Sequence, residues 1–207
     1  MGHLIILCFF IVDLSAGNPQ NRRKKKVTRE PERKRNMNED LKQSVDFAYA
    51  LCAEVEKTLQ NTITLHKPLK QLLQTELLVY AMYLSDSDER IRHSESHFLQ
   101  DYLGYDYSPG EVRSFLQKLD RDQFSRTIPY VFSLFVMADN ILYERHRKIS
   151  LASNALYEIY EALGIEMISV DDDVDLQEYQ DLIRYLKMLR LYLDNHLDSS
   201  KNNSIVH

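Results

Sequence analysis

From about residue 39 almost to the end of the chain, apolar side chains recur three and four positions apart, and that spacing points to helices. Leu41, Val45, Ala48, Cys52, Val55 and Leu59 fall on one face of a first helix. Pro68 suits the first position of a second, where its missing N–H costs nothing; this helix runs through Leu72, Leu73, Leu77, Tyr80, Ala81 and Leu84. A third follows Arg92, contains Phe98, Leu99, Tyr102 and Leu103, and ends at Gly104, a residue that tolerates the left-handed conformation of a helix stop. Ser108-Pro109-Gly110-Glu111 reads as a capping box opening a fourth helix to about Leu119. Thr127-Ile128-Pro129 opens a fifth, so apolar through Val131, Phe132, Leu134, Phe135, Val136 and Met137 that it is expected at the centre, buried on most sides. A sixth covers about 150–163 and is expected to end near Gly164. Asp175-Leu176-Gln177-Glu178 is a second capping box, starting a last helix through Leu182, Ile183, Tyr185, Leu186, Leu189 and Leu193. No segment alternates as a strand would, and five Gly and five Pro are few for a fold of many tight turns. The expectation is an all-α, compact bundle of about seven helices.

Charge divides the chain. Residues 22–36 hold nine basic and two acidic side chains, whereas 37–207 hold 17 basic and 28 acidic, a net of −11. An acidic body lacks the clustered Lys and Arg with which proteins grip phosphates, so nucleic acid is not expected as a partner. Leu4 to Val12 is an apolar run of nine, far short of the ~20 residues of a membrane-spanning helix. Three readings of 1–36 stand open. It is a disordered extension or mis-assigned start, with translation beginning at Met37; or a tail touching anionic lipid weakly through 22–36; or a signal cleaved near Ser15-Ala16-Gly17, although Met1-Gly2-His3 lacks the usual positive start. Residues 37–198 are expected to be one helical domain and 199–207 a disordered tail. Two cysteines, Cys8 and Cys52, imply no disulfide framework, which fits a reducing, cytoplasmic setting; membrane association and secretion are the alternatives.

The chain also repeats itself. Leu77, Tyr80 and Leu84 precede Asp88-Glu89-Arg90-Ile91-Arg92-His93-Ser94-Glu95 as Tyr160, Leu163 and Met167 precede Asp171-Asp172-Asp173-Val174-Asp175-Leu176-Gln177-Glu178. Both turns read Asp-x-x-aliphatic-x-x-x-Glu, and beyond them Leu99, Tyr102 and Leu103 match Leu182, Tyr185 and Leu186. Each copy is a helix, an acidic turn and a second helix, and neither can bury its apolar face alone.

This doubled unit resembles the tellurite-resistance TerB-like family, whose motif is Ala-x-Asp-Gly-x-Ile-x-x-x-Glu. More closely, about 70–195 looks like the TerB-like module in front of AAA+ ATPase domains in Gram-positive bacteria. The residues carrying the likeness are Glu76-Leu77-Leu78-Val79-Tyr80-Ala81-Met82-Tyr83-Leu84-Ser85, Phe135-Val136-Met137-Ala138-Asp139-Asn140 and Leu156-Tyr157-Glu158-Ile159-Tyr160-Glu161-Ala162-Leu163-Gly164. The resemblance implies a helical bundle, acidic clusters that bind divalent cations, and a place in bacterial stress or defence complexes near membranes. The sequence departs from the motif at its Gly, which is Glu89 in one copy and Asp172 in the other. No Gly-x-x-x-x-Gly-Lys-Ser/Thr is present, so an ATPase partner would be a separate chain.

Of the candidate sites, the second turn is the richest. Asp171, Asp173, Asp175 and Glu178 gather the oxygen donors that Ca²⁺ or Mg²⁺ prefer, but the turn lacks the Gly of an EF-hand, and Leu182 stands where its bidentate Glu would be. The alternative is plain capping, with Asp175 taking the Glu178 amide and the other carboxylates in solvent. In the first turn Arg90 and Arg92 are expected to pair with Asp86, Asp88 or Glu95, which makes those acids structural or partner-facing. His93 and His97 read as surface residues rather than zinc ligands. Asp139, inside an apolar helix, needs a partner such as a neighbouring helix end. No nucleophile–base pair or Gly-rich phosphate loop is recognisable, and the tyrosines at helical spacing read as core. The sequence is therefore expected to be a non-enzymatic interaction or sensing module with a protein partner. The alternatives are a secreted or membrane-attached helical binding protein, and third an enzyme with an unrecognised site.

Overall fold

The computed structural model describes residues 30–85, 93–105, 108–146, 152–170 and 176–197. Among them the regular structure is all helical: α1 (Glu30–Leu59), α2 (Leu69–Ser85), α3 (His93–Leu103), α4 (Pro109–Leu116), α5 (Arg121–Phe124), α6 (Tyr130–His146), α7 (Ala152–Ile168) and α8 (Leu176–His196). The chain divides into two units at Glu39 and Asp40. Among the described residues the first holds the opening turns of α1, which begins at Glu30, before the domain boundary expected at Met37. The second holds the bundle.

The local signals act where the sequence places them. Leu41, Val45, Ala48, Cys52, Val55 and Leu59 are all buried along one face of α1. Gly104 takes a φ of 76°, and the Gly104 and Tyr105 N–H groups close the end of α3 on the carbonyls of Gln100 and Leu99. The capping box of α4 is complete: Glu111 N–H donates to Ser108 Oγ at 3.4 Å, and Ser108 N–H donates to Glu111 Oε2 at 2.9 Å. The Ser108 N–H, together with the Ser108 hydroxyl, which donates to the same Oε2 at 2.8 Å, holds the Glu111 carboxyl below its ordinary range.

Three expectations need correction. The fourth helix stops at Leu116, and a further short helix, α5, follows it, capped by Asp120, whose side chain accepts from Gln123 N–H at 2.9 Å. The sixth does not end near Gly164: α7 runs through it to Ile168. Gly164 is buried at a helix crossing, and a Cβ there would drive into Tyr80 Oη and Leu182 Cδ1. The glycine is needed for closeness, not for a turn. Third, the centre is shared: α2 and α7 pack on each other, and α6, whose Val131, Phe132, Leu134, Phe135 and Val136 are buried as expected, packs on both. Helix α2 also meets α3, α4, α6 and α8, while α7 meets α6 and α8. The last turn of α2 is buried all round, through Met82, Tyr83, Leu84 and Ser85. Helix α6 packs on α2 and α7 and leaves Met137 exposed.

The repeat is realised in the element boundaries. Helices α2 and α7 have equal lengths and begin at Leu69 and Ala152; α3 and α8 begin at His93 and Leu176. Both pairs of starts keep the sequence offset of the repeat. Leu77 and Tyr160, Tyr80 and Leu163, Leu84 and Met167, Leu99 and Leu182, and Leu103 and Leu186 are buried in pairs. The first helices of the two hairpins cross at Tyr80, whose hydroxyl donates to the Tyr160 carbonyl at 3.0 Å.

Candidate functional site

Of the acidic residues singled out, Asp88, Asp171, Asp173 and Asp175 lie outside the described residues. Glu95 and His93 fall in α3, and His97, on the same helix, is exposed. Glu178 is in the first turn of α8 and buried, not in solvent as the capping alternative supposed. Among the described residues no three His, Cys, Asp or Glu side chains are grouped to hold a metal ion.

The most developed polar arrangement lies one turn further along α8. Asp181 is 4% exposed. Its Oδ2 accepts from Arg121 Nη2 at 3.2 Å, and its Oδ1 accepts from Arg184 Nη1 and Gln177 Nε2, each at 3.1 Å. Arg121, carried by α5, also donates Nη1–H to the Tyr83 carbonyl at 3.0 Å, at the C-terminal end of α2, and lies 4.6 Å from the Tyr83 ring centroid. A cation there meets both the negative end of the helix and an aromatic face. With Ser125 and Asp122 these side chains line a polar cleft of about 270 Å³. Burial raises the Tyr83 hydroxyl above its ordinary pKa, and the Asp181 charge adds to this. A carboxylate saturated by two guanidiniums and an amide is a clamp, tying α5 and the end of α2 to α8, rather than a general base. Its Gln177 and Arg184 partners lie within one turn on α8, but nothing local marks the Arg121 partner, which is 60 positions away.

Buried Asp139 and the half-buried Glu76 and Glu56 close helix ends. Asp139 Oδ2, on α6, accepts from Ser153 N–H at 2.9 Å and Ser153 Oγ–H at 2.6 Å in the first turn of α7, while its Oδ1 has no hydrogen-bond partner among the described residues. Glu76, on α2, takes the Val131 N–H of α6 on both oxygens, at 3.0 and 3.1 Å. Burial pushes Glu76 up to about 7, against the pull of the Val131 and Tyr130 amides and of the neighbouring Tyr160 hydroxyl. Among the described residues that hydroxyl makes no hydrogen bond of good geometry. Glu56 of α1 accepts the Leu69 N–H at the head of α2.

Tyrosines fill the space between these caps. Tyr80 meets Tyr160 edge-on at 5.0 Å and stacks on Tyr185 at 4.9 Å; Tyr185 stacks on Phe124 at 5.4 Å, and Phe124 touches Tyr83 at 5.0 Å. The column leads from the α2–α7 crossing to the Arg121 cleft. Burial holds the Tyr80, Tyr160 and Tyr185 hydroxyls well above the ordinary phenol range. Burial likewise pushes the Cys52 thiol up to about 12, far from the thiolate that nucleophilic chemistry needs. Among the described residues no helix is long and apolar enough to cross a membrane. Compared with protein-family models, curated proteins and solved structures, the chain matches none.

Proposed function

We propose that the chain is a non-enzymatic, TerB-like interaction module that docks a protein partner, a separately encoded AAA+ ATPase of a bacterial stress or defence system. The doubled helix–turn–helix unit carries this reading: two hairpins start their helices at a common offset and cross at Tyr80 and Gly164. The use made of the buried polar groups supports it. Asp139 and Glu76 receive helix N-termini and Asp181 receives two arginines, so these carboxyls serve architecture. In this reading the acidic turn of 171–175 lends the module a modest response to Ca²⁺ or Mg²⁺.

The test is co-elution of the purified full chain with an AAA+ ATPase encoded beside its gene, with and without millimolar Ca²⁺ and Mg²⁺. A stoichiometric complex is expected, altered by cation and no longer so in an Asp171→Asn/Asp173→Asn variant. No complex in any condition would remove the ATPase as partner. A complex indifferent to cation would keep the docking role and remove the cation.

A further inference from the structure

The repeat visible in the sequence begins at Leu77 and Tyr160, inside α2 and α7. The helices before these carry it further back. At the same offset, residues 47–59 of α1, Phe-Ala-Tyr-Ala-Leu-Cys-Ala-Glu-Val-Glu-Lys-Thr-Leu, stand against 130–142 of α6, Tyr-Val-Phe-Ser-Leu-Phe-Val-Met-Ala-Asp-Asn-Ile-Leu. Leu51 and Leu59 meet the identical Leu134 and Leu142, and Phe47 and Tyr49 meet Tyr130 and Phe132. Burial follows the same register: Ala48, Cys52 and Val55 are buried, and so are Val131, Phe135 and Ala138.

Any two helices with an apolar stripe can be laid on each other in this way, since both repeat every three and four residues. Two features of this pair are not periodic. An acid falls at the same place in each, and each acid accepts a backbone N–H at the head of the next helix: Glu56 from Leu69 of α2, Asp139 from Ser153 of α7. Ser153 is the second residue of its helix and Leu69 the first, so the shorter Asp takes the amide one position further along. An aromatic is also left in solvent at the same place in each, Phe47 at 55% and Tyr130 at 52% exposure. Farther on, the buried glycine of the α2–α7 crossing, Gly164, matches Ala81, another small buried residue. The match breaks at Asp181, which stands where the first copy has the equally buried Phe98. The charge there is answered by Arg121 of α5, which lies in the connection between the copies. We infer that the chain is two copies of one three-helix unit, 47–103 and 130–186, joined by 104–129. In it α1 stands to α2 as α6 stands to α7, and the surface by which each unit packs at the Tyr80–Gly164 crossing is covered by a unit of its own kind.

Two measurements on the full chain test this. In the first, 47–59 is replaced by the sequence of 130–142, and in a control by that of 134–146. Four residues are close to one turn, so the control keeps the apolar stripe nearly in line while it moves the acid and the aromatic out of place. In urea unfolding followed by circular dichroism, the graft at the exact offset is expected to unfold cooperatively, with a midpoint about 0.5 M or more above that of the slipped one. In the second, Glu56→Asp gives the first unit the acid of the second. Amide exchange by NMR should then show protection moved from Leu69 to Lys70, the counterpart of Ser153, by about tenfold relative to Glu56→Ala, which should protect neither. A graft at the exact offset that unfolds no later than the slipped one overturns the inference. So does Glu56→Asp if protection stays at Leu69 or is lost from both amides, because Glu56 and Asp139 would then not be counterparts.

Discussion

At the scale of single residues, Gly164 shows best how packing overrides a local signal. A glycine near the end of an apolar stretch reads as a helix stop. Here it is the point where α7 comes close enough to α2 for Tyr80 to reach the Tyr160 carbonyl, with Leu182 of α8 against the same spot. Alanine would gain up to about 1 kcal/mol of helix propensity. It would also place a methyl inside two buried side chains, and overpacking of that kind costs about 1–3 kcal/mol. Gly164→Ala is therefore expected to destabilise the fold in urea denaturation. Adding Tyr80→Phe, which removes the hydroxyl that the methyl meets, should recover part of the loss. If Gly164→Ala is as stable as wild type, the crossing is looser than described. The close approach could not be read from sequence, because a small residue at a crossing and a small residue at a stop look alike along the chain.

At the scale of elements, a common device joins the helices: a carboxyl on one helix receives the first amides of another. Glu56 of α1 does so for α2, Glu76 of α2 for α6, and Asp139 of α6 for α7. Helix N-termini leave unpaired N–H groups and attract negative charge, so each bond both satisfies a donor and locks a helix pair. The capping box of Ser108 and Glu111 is legible because its partners are three residues apart; the cross-helix caps span 13, 55 and 14 positions and carry no local pattern. Asp139 was legible as a charge needing a neighbouring helix end, and the start of α7 is that end; which helix it would be was not legible. Asp139→Ala strands two buried Ser153 donors and should cost about 2–4 kcal/mol, against about 1 kcal/mol for the exposed cap in Ser108→Ala; parallel denaturant titrations of the two variants decide it. Glu76 adds a pH dependence. Its pKa rises from an ordinary 4.5 to about 7 on folding, so between those values the native state holds a proton that the unfolded chain has released. This contribution to stability is complete below about 4.5, falls as pH rises toward 7, and is flat above, by up to roughly 3 kcal/mol. Glu76→Gln should flatten that slope, and equal slopes for wild type and variant between pH 5 and 7 would show that Glu76 does not set it.

At the scale of the whole molecule, the repeat was legible because matched apolar positions on both sides of two similar turns are hard to produce otherwise. The clamp of Arg121 and Asp181, and α5 that carries it, were not, since neither has periodicity. The two faces of α8 were half legible: Ile183 sits at core spacing, yet it is exposed, because spacing finds an apolar face without saying what covers it. The hairpins do not stand separately. Tyr185 of the second stacks on Tyr80 of the first, Gly164 of the second receives Tyr80, and Asp181 reaches Tyr83 of the first through Arg121. Each hairpin's apolar surface is thus covered in part by the other, with α6 packed on both. The full chain is expected to lose its helical signal in a single transition, with calorimetric and van't Hoff enthalpies agreeing to within about 10%. A synthetic peptide of residues 152–197 should be largely unfolded in water, since short helices without a packed face are marginal. Mixing it with a peptide of 69–105 should restore helicity only where the Tyr80–Gly164 crossing is intact, so a Gly164→Leu peptide should stay unfolded in the mixture. Two resolved transitions, or a 152–197 peptide helical by itself, would instead make the hairpins independent units whose likeness in sequence carries no shared core.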